Sequence, residues 1–475
     1  MSQVCPQKVI LKEDNLPLPS NYTRTRFPST EGVSTEISNI NIPPLRNSYL
    51  NCRDSFLTFS VEAELTGTLL PYMTTATPPV LTNGENLLLD PCGACCFIRS
   101  ITILQGQSTT IQHLDNYAKI HSMLQVAEAS VDSAGIRGIL SGCANYTSSD
   151  GASVQGTRGG VTLIGTPTTV WGNPKTGSTA TDTKIAQMSF ALPIAGLLST
   201  ANIPLSMLKE GLTIRVQWAN NVRDCFYTKH AITDAANQAT IDDIGAMTFK
   251  NVSYDAGIST LSDAAQLSVE SENKFKSEPI QWSGTDYYAG IRNTSFGELS
   301  TAQTATHILG GFTFTSTKSI LCGTYCKPTG GINAPNVPHI VFDKIRYRVN
   351  GIERPRNVID TLAKMVQHTA VTTGSNSQAV STGLMSRDFT SSNFRPLTGL
   401  ADATIADYTD RGVSGVSLNS FPSMQAISGV DTRGGDIQAE LETASVSTDL
   451  DMSTYFVGVF DVIYMLEDGV LKLSF

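Results

Sequence analysis

Charge is scarce in this chain. Only 16% of its residues are Asp, Glu, Lys or Arg, against about 25% in ordinary domains. The charges sum to −9, and no Lys/Arg cluster interrupts the acidic balance. Wrapping nucleic acid directly needs a basic surface, so that role is not expected. The densest basic stretch, Lys344–Arg356, alternates along an expected strand and reads as a solvated strand face. Scarce charge also suits a protein that hides much of its surface in an assembly, because interface cores are depleted of charge.

Targeting and membrane signals are missing too. No stretch of 18 apolar residues exists, so no membrane-spanning helix is expected. The best apolar run, Tyr455–Leu466, is broken by Asp461 and reads as a buried strand. The opening MSQVCPQKVILKEDN has no basic segment followed by an apolar core, so no signal peptide is expected. Without a secretion signal, the odd count of nine cysteines is expected to be reduced thiols in an intracellular setting. The four sequons at Asn21, Asn145, Asn251 and Asn293 are then chance matches.

Catalytic spacing is absent as well. GxSxG, HExxH, a Walker A loop and GxGxxG before a helix are all missing. The histidines, His113, His121, His230, His307, His339 and His368, are scattered, and none pairs with another at metal-ligand spacing. Asp242–Asp243 reads as a solvated pair. Cys92, Cys95 and Cys96 form C-x-x-C-C, and Cys322 with Cys326 forms C-x-x-x-C. A four-thiolate zinc site could in principle combine them. They lie at or near strand ends in different halves, and small buried thiols are the better reading. No catalytic, cofactor-binding or metal site is expected, and the weight shifts to a structural or binding role.

What is present is one structural pattern written twice, 245 residues apart. Phe97–Met123 reads FIRSITILQGQSTTIQHLDNYAKIHSM and Phe342–His368 reads FDKIRYRVNGIERPRNVIDTLAKMVQH. Without a gap, Phe97 meets Phe342, Gly106 meets Gly351, Asp115 meets Asp360, and Ala118–Lys119 meets Ala363–Lys364. Each copy is a β-rich run, a QG or NG turn, a short polar loop and an amphipathic helix. The helices are expected over Leu114–Val126 and Asn357–Gln367. A repeat of this length is a duplicated domain rather than a solenoid unit.

The surrounding order also repeats. Strands are expected at Asp54–Leu65, Phe97–Leu104, Lys184–Leu192, Leu212–Trp218 and Thr248–Ile258, then at Pro279–Tyr288, Thr306–Thr315, His339–Val349, Thr454–Leu466 and Val470–Phe475. Each half carries a long Ser/Thr/Gly loop, Cys143–Thr183 and Thr369–Ser420; Ser420–Phe421 takes the place of Ser189–Phe190. A helical connector is expected over Ser259–Glu272, capped by Ser259, Thr260 or Ser262. Residues 1–47 hold Pro6, Pro17, Pro19, Pro28, Pro43 and Pro44 and read as an extended arm rather than a packed element. The expected organisation is an arm at 1–47 and two all-β sandwiches at 48–262 and 263–475.

This pattern resembles the major capsid proteins of the double jelly-roll lineage, which build tailless icosahedral double-stranded DNA viruses and include adenovirus hexon. Most of the resemblance sits in Phe190–Val216, FALPIAGLLSTANIPLSMLKEGLTIRV, where a strand leads through Ile203–Pro204–Leu205 and a short helix to the next strand. The turn-and-helix unit ending in Asp115–Asn116–Tyr117 is similar to capsid proteins of virophages and Polinton-like viruses. The resemblance implies two tandem jelly rolls, a homotrimeric pseudo-hexagonal capsomer, and a place in the virion shell. It further implies lattice contacts between capsomers, with the long loops as outer towers or clasps. Penton and minor capsid proteins, and an internal membrane, are the partners it suggests, the arm facing inward. The rivals fit less well. A carbohydrate-binding or adhesive tandem sandwich would want a secretion signal and aromatic loops, for which only Trp171 and Tyr408 offer themselves. A cupin-type enzyme would want His-x-His in strands. A single jelly-roll penton would lack the duplication.

Overall fold

The computed structural model describes residues 20–65, 87–90, 92–128, 140, 173–175, 184–200, 202–228, 244–276, 279–292, 304–326, 336, 338, 342–361, 364, 367–369, 413–418, 429–443 and 452–474. Strands dominate them, in two groups that share no strand pairing. The first group is β1 (Ser20–Pro28), β2 (Val33–Ser34), β3 (Ile37–Ile42), β4 (Ser48–Leu65), β5 (Leu87–Leu89), β6 (Ile98–Gln105), β7 (Thr109–Asp115), β8 (Asn173–Lys175), β9 (Lys184–Leu192), β10 (Asn202–Pro204), β11 (Leu212–Trp218), β12 (Phe226–Thr228) and β13 (Ile244–Leu261). The second is β14 (Ile280–Arg292), β15 (Thr304–Ile308), β16 (Thr317–Cys326), β17 (Phe342–Val349), β18 (Ile352–Glu353), β19 (Ser414–Ser417), β20 (Ile437–Thr443), β21 (Met452–Glu467) and β22 (Val470–Ser474). The α-helices are α1 (Tyr117–Glu128), α2 (Leu197–Thr200) and α3 (Asp263–Lys276), the last joining the two groups.

The strand order makes the duplication explicit. One sheet of the first group runs β1-β13-β4-β9 and the other β3-β11-β6-β7. Setting aside the short β2, β5, β8, β10 and β12, these are strands 1-8-3-6 and 2-7-4-5 of an eight-strand unit. The second group, β22 aside, gives β14-β21-β16-β19 and β15-β20-β17-β18, the same two orders. Eight antiparallel strands in two sheets of this kind are a jelly roll, and the chain holds two.

Each sheet buries one face. In β11, LTIRVQW, the expected inward row Leu212, Ile214, Val216 and Trp218 is buried while Arg215 is exposed, as the two-residue strand period requires. Trp218 stacks on Phe249 at 4.2 Å between ring centres and lies 4.9 Å from Phe59. Its indole N–H donates to Ser38 at 2.9 Å, so the core tryptophan buries no idle donor. In the second unit Phe314 stacks on Phe460 at 3.8 Å.

The duplicated segments land on strands 4 and 5 of the two units, with one difference. In the first unit Leu114 belongs to β7 and pairs with Ile101, so α1 starts at Tyr117 rather than Leu114. In the second, Ile359 forms a bridge with Ile345, which holds the backbone extended where a helix was expected. Lys364 and Gln367–Thr369 are helical, so the helix lies nearer the end of the Asn357–Gln367 span. Both turns need a left-handed backbone: Gly106 has φ +62°, and Asn350–Gly351 has φ +52° and +75°, a pattern that asparagine and glycine tolerate best.

The arm is corrected more deeply. Residues 1–19 lie outside the described residues, but β1 and β3 are strands 1 and 2 of the first jelly roll. β1 pairs with β13 from Ser20–Leu261 to Pro28–Ser253, and Ile40 and Ile42 are fully buried. Ladder bonds and three core side chains, Phe27, Ile40 and Ile42, hold this segment; of its described prolines, Pro28 closes β1 and Pro43–Pro44 follow β3. Other boundaries move less. Ser262 is the cap that α3 uses, its Oγ accepting from Ala265 N at 3.3 Å. The strand expected over Thr306–Thr315 ends at Ile308, and strand 6 of the second unit is Ser414–Ser417. Most of the two long loops, together with Ser420–Phe421, lies outside the described residues.

Candidate functional site

Among the described residues, no three His, Cys, Asp or Glu side chains converge as metal ligands. His113 is exposed and bonded to Thr102 Oγ1 at 2.8 Å. His121 packs on Tyr117 at 5.6 Å, and His307 on Phe456 at 5.6 Å. Burial, with Lys364 nearby, depresses His368 below the ordinary imidazole range. His230, His339 and the Asp242–Asp243 pair lie outside the described residues.

The described thiols of Cys52, Cys92, Cys95, Cys96, Cys225 and Cys322 are buried and outside disulfides, but not in the combination the spacing offered. Cys92, Cys95 and Cys96 sit in a buried 3-10 turn before β6. Their neighbour is Cys225, not Cys322: Cys225 donates to Cys96 O at 3.3 Å, and Cys95 donates to Cys92 O at 3.1 Å. Cys322 is buried in the second unit. The side chain of Cys326 lies outside the described residues. Burial raises the Cys52, Cys96, Cys225 and Cys322 thiols above their ordinary range, which keeps them protonated and unreactive.

The polar chemistry concentrates instead where the two units meet. Gln105, at the end of β6, donates from Nε2 to Gly469 O at 2.7 Å and accepts from Leu471 N at 2.8 Å. Lys209 N also donates to Gly469 O, at 3.0 Å. Asp90 is fully buried; its carboxyl accepts from Cys92 N at 2.9 Å and, across the junction, from Asn336 N at 2.8 Å. Burial foremost pushes that carboxyl above the usual range. Asn336 returns a bond from Nδ2 to Asp224 O at 2.7 Å.

Helix α1 supplies the next layer. The Ser122 hydroxyl meets the Tyr325 hydroxyl at 3.0 Å, and the Lys119 ammonium lies 4.2 Å from the Tyr325 ring centre and 5.5 Å from that of Tyr455. A cation held over two aromatic faces gains attraction without a buried counter-charge. Beside it opens a cavity of about 310 Å³ with Arg99, Lys119, Asp224, Tyr325 and Tyr455 in its walls. On the other side of the junction Gln112 of β7 donates to the Asp286 carboxylate of β14. Strand 5 of the first unit thus faces strand 1 of the second. This arrangement fixes two sandwiches side by side through buried, directional bonds.

No family profile and no characterised protein sequence matches the chain. Solved structures do. A chain of the Sputnik virophage particle superposes with a TM-score of 0.59 at 12% identity, over 97% of this chain and 89% of that one. The Faustovirus major capsid protein gives 0.54 at 8% identity, over 96% and 92%. The mavirus major capsid protein gives 0.50 at 12% identity, over 98% and 93%. The fold is the double jelly roll of viral capsid proteins. The match runs the length of the chain, so it includes both jelly rolls and not one sandwich alone. At such low identity the agreement lies in strand order and packing. The double jelly roll is therefore set by the pattern of buried and exposed positions rather than by particular side chains.

Proposed function

We propose that this chain is the structural major capsid protein of an icosahedral double-stranded DNA virus, located in the virion shell. It has no enzymatic role in this reading. Three copies form a homotrimeric capsomer, pseudo-hexagonal because each copy brings two jelly rolls, divided near Ser262–Asp263. Capsomers meet one another in a lattice. Penton and minor capsid proteins are the expected partners, an internal membrane is a further one, and direct contact with the genome is not expected of so acidic a chain.

One observation carries the trimer. Inside the chain, strand 5 of the first jelly roll (β7) packs against strand 1 of the second (β14). Among the described residues, the corresponding strands at the far ends are sheet edges paired on one side only. Strand 5 of the second jelly roll is β18, where Ile352 is 56% exposed, and strand 1 of the first is β1, where Tyr22 is 49% exposed. An open surface at one end and its complement at the other make a heterologous interface, which closes into a ring when the rotation permits. Repeating the internal junction between copies gives six similar contacts around a three-fold axis.

The test is the mass of the purified full chain by light scattering. A stable species of three times 50.9 kDa is expected. A monodisperse monomer across salt and concentration would sink the capsomer reading.

A further inference from the structure

Besides Asp90, the junction holds a second buried carboxylate, Asp286, that no cation answers among the described residues. Asp286 lies on β14, an edge strand, with its side chain turned into the joint and 7% exposed. It accepts from Gln112 Nε2 across the joint and from Tyr287 N at 2.8 Å on its own strand. Gln112 is locked from its other end, since its Oε1 accepts from Leu197 N of α2 at 3.0 Å. Both donors are neutral. An inward-pointing charge on an edge strand discourages β14 from zipping directly onto the facing edge strand β7. It also places an ionisable group where burial disfavours its charged form.

Among the described residues the surroundings do not compensate it. From β21, which pairs with β14, Tyr464 is the titratable group within electrostatic reach; its buried hydroxyl has no hydrogen-bond partner among the described residues. Asp461 on the same strand is engaged with Ser316 and Lys318. On β7 the titratable residues His113 and Asp115 are exposed. Helix α2, LLST, carries none. From α1, Tyr117 donates to Pro193 O and packs against His121, while Lys119 lies over Tyr325 and Tyr455. Tyr287 flanks Asp286 on its own strand.

We propose that Asp286, held by Gln112, makes the joint between the two jelly rolls acid-tightened: the buried carboxyl fits the joint when protonated, and its ionisation there, answered by neutral donors only, loosens the joint even though the Gln112 bond itself favours the anion. Burial raises the Asp286 carboxyl from 3.8 to about 6, its two hydrogen bonds only partly opposing the shift. A folded-state value above the unfolded one means the folded chain holds the proton more tightly. The joint is therefore strongest below about pH 4, weakens as pH rises through 6, and is weakest at neutral pH. The joint is internal to one chain, so it does not depend on whether copies associate. In a shell subunit it would let acid stiffen the unit that the lattice is built from.

The test is thermal unfolding of the full chain between pH 4 and 8, wild type against Asp286→Asn. Asparagine keeps an oxygen for Gln112 and Tyr287 N but cannot ionise. The variant is expected to melt several degrees above wild type at pH 7.5, with the gap closing toward pH 4. A gap that stays constant across the range would overturn the proposal. If Asp286→Asn does not fold, Gln112→Ala serves: loss of a donor to the anion is expected to move the wild-type pH midpoint upward. An unmoved midpoint there overturns it equally. Hydrogen exchange at β7 and β14 amides, corrected for intrinsic pH dependence, is expected to quicken from pH 5 to pH 7.5 in wild type and not in Asp286→Asn.

Discussion

Gln105 and Gly469 join the two jelly rolls through a side chain used at both ends. The Gln105 amide N–H donates to Gly469 O at 2.7 Å, while its carbonyl accepts from Leu471 N at 2.8 Å. Gln105 sits at the end of β6, and both of its partners belong to the C-terminal hairpin β21–β22. Gln105 is itself buried, so the bonds form away from water.

The first prediction follows from that pair. Gln105→Ala leaves the buried Leu471 N–H without its acceptor, at a cost of about 1–3 kcal/mol. Gln105→Glu keeps the acceptor and loses the donor to Gly469 O while burying a charge, so it is expected to be worse than Gln105→Ala at neutral pH. Urea titrations followed by tryptophan fluorescence check both. Midpoints equal to wild type would mean the amide bridge contributes nothing.

The second prediction concerns the turn in the second copy of the repeat. Gly351 has φ +75° and open space where a Cβ would go. Gly351→Val therefore meets backbone strain alone, about 1–2 kcal/mol for an L-residue in the left-handed region, with β-branching at the upper end. Gly434 also has open space but no positive φ. Gly434→Ala is the control, expected within about 0.5 kcal/mol of wild type. Equal denaturation midpoints for the two variants would remove the left-handed turn as the reason glycine sits at 351.

Sequence patterning revealed the duplication because Phe97–Met123 and Phe342–His368 fall on strands 4 and 5 of their units, joined by turns that need glycine at 106 and 351 alike. It hid strand 1 for a physical reason. β1, SNYTRTRFP, buries only Phe27 and carries arginine and threonine elsewhere, so an edge strand held by ladder bonds reads as a polar arm. β7, TTIQHLD, was hidden likewise, because one of its inward residues is the polar Gln112. The junction was not legible at all. Asp90 meets Asn336 across 246 residues and Gln112 meets Asp286 across 174, and no local pattern encodes such pairs. The cysteine spacing suggested Cys322 and Cys326 as partners for Cys92, Cys95 and Cys96. The fold brings Cys225 there instead, because β12 runs beside β5 and delivers the residue before it to the 3-10 turn.

The third prediction separates association from folding. Tyr22 on β1 and Ile352 on β18 are large apolar side chains that a single chain leaves in water. Both side chains are about half exposed, so Ile352→Arg and Tyr22→Arg are each expected to cost the monomer no more than about 1 kcal/mol. Each is expected to lower the solution mass toward that of one chain, because a charge placed at the centre of an interface must be desolvated without a partner. In the proposed ring the contact is heterologous, with β18 of one copy against β1 of the next. The double variant Tyr22→Arg with Ile352→Glu therefore brings opposite charges to the two sides of every interface, and it is expected to recover part of the association lost by either single variant. Recovery that fades as salt is raised would mark the new attraction as electrostatic. Trimers that survive both arginine variants unchanged would place the inter-copy contact on other strands, and the repetition of the internal junction between copies would no longer account for the ring.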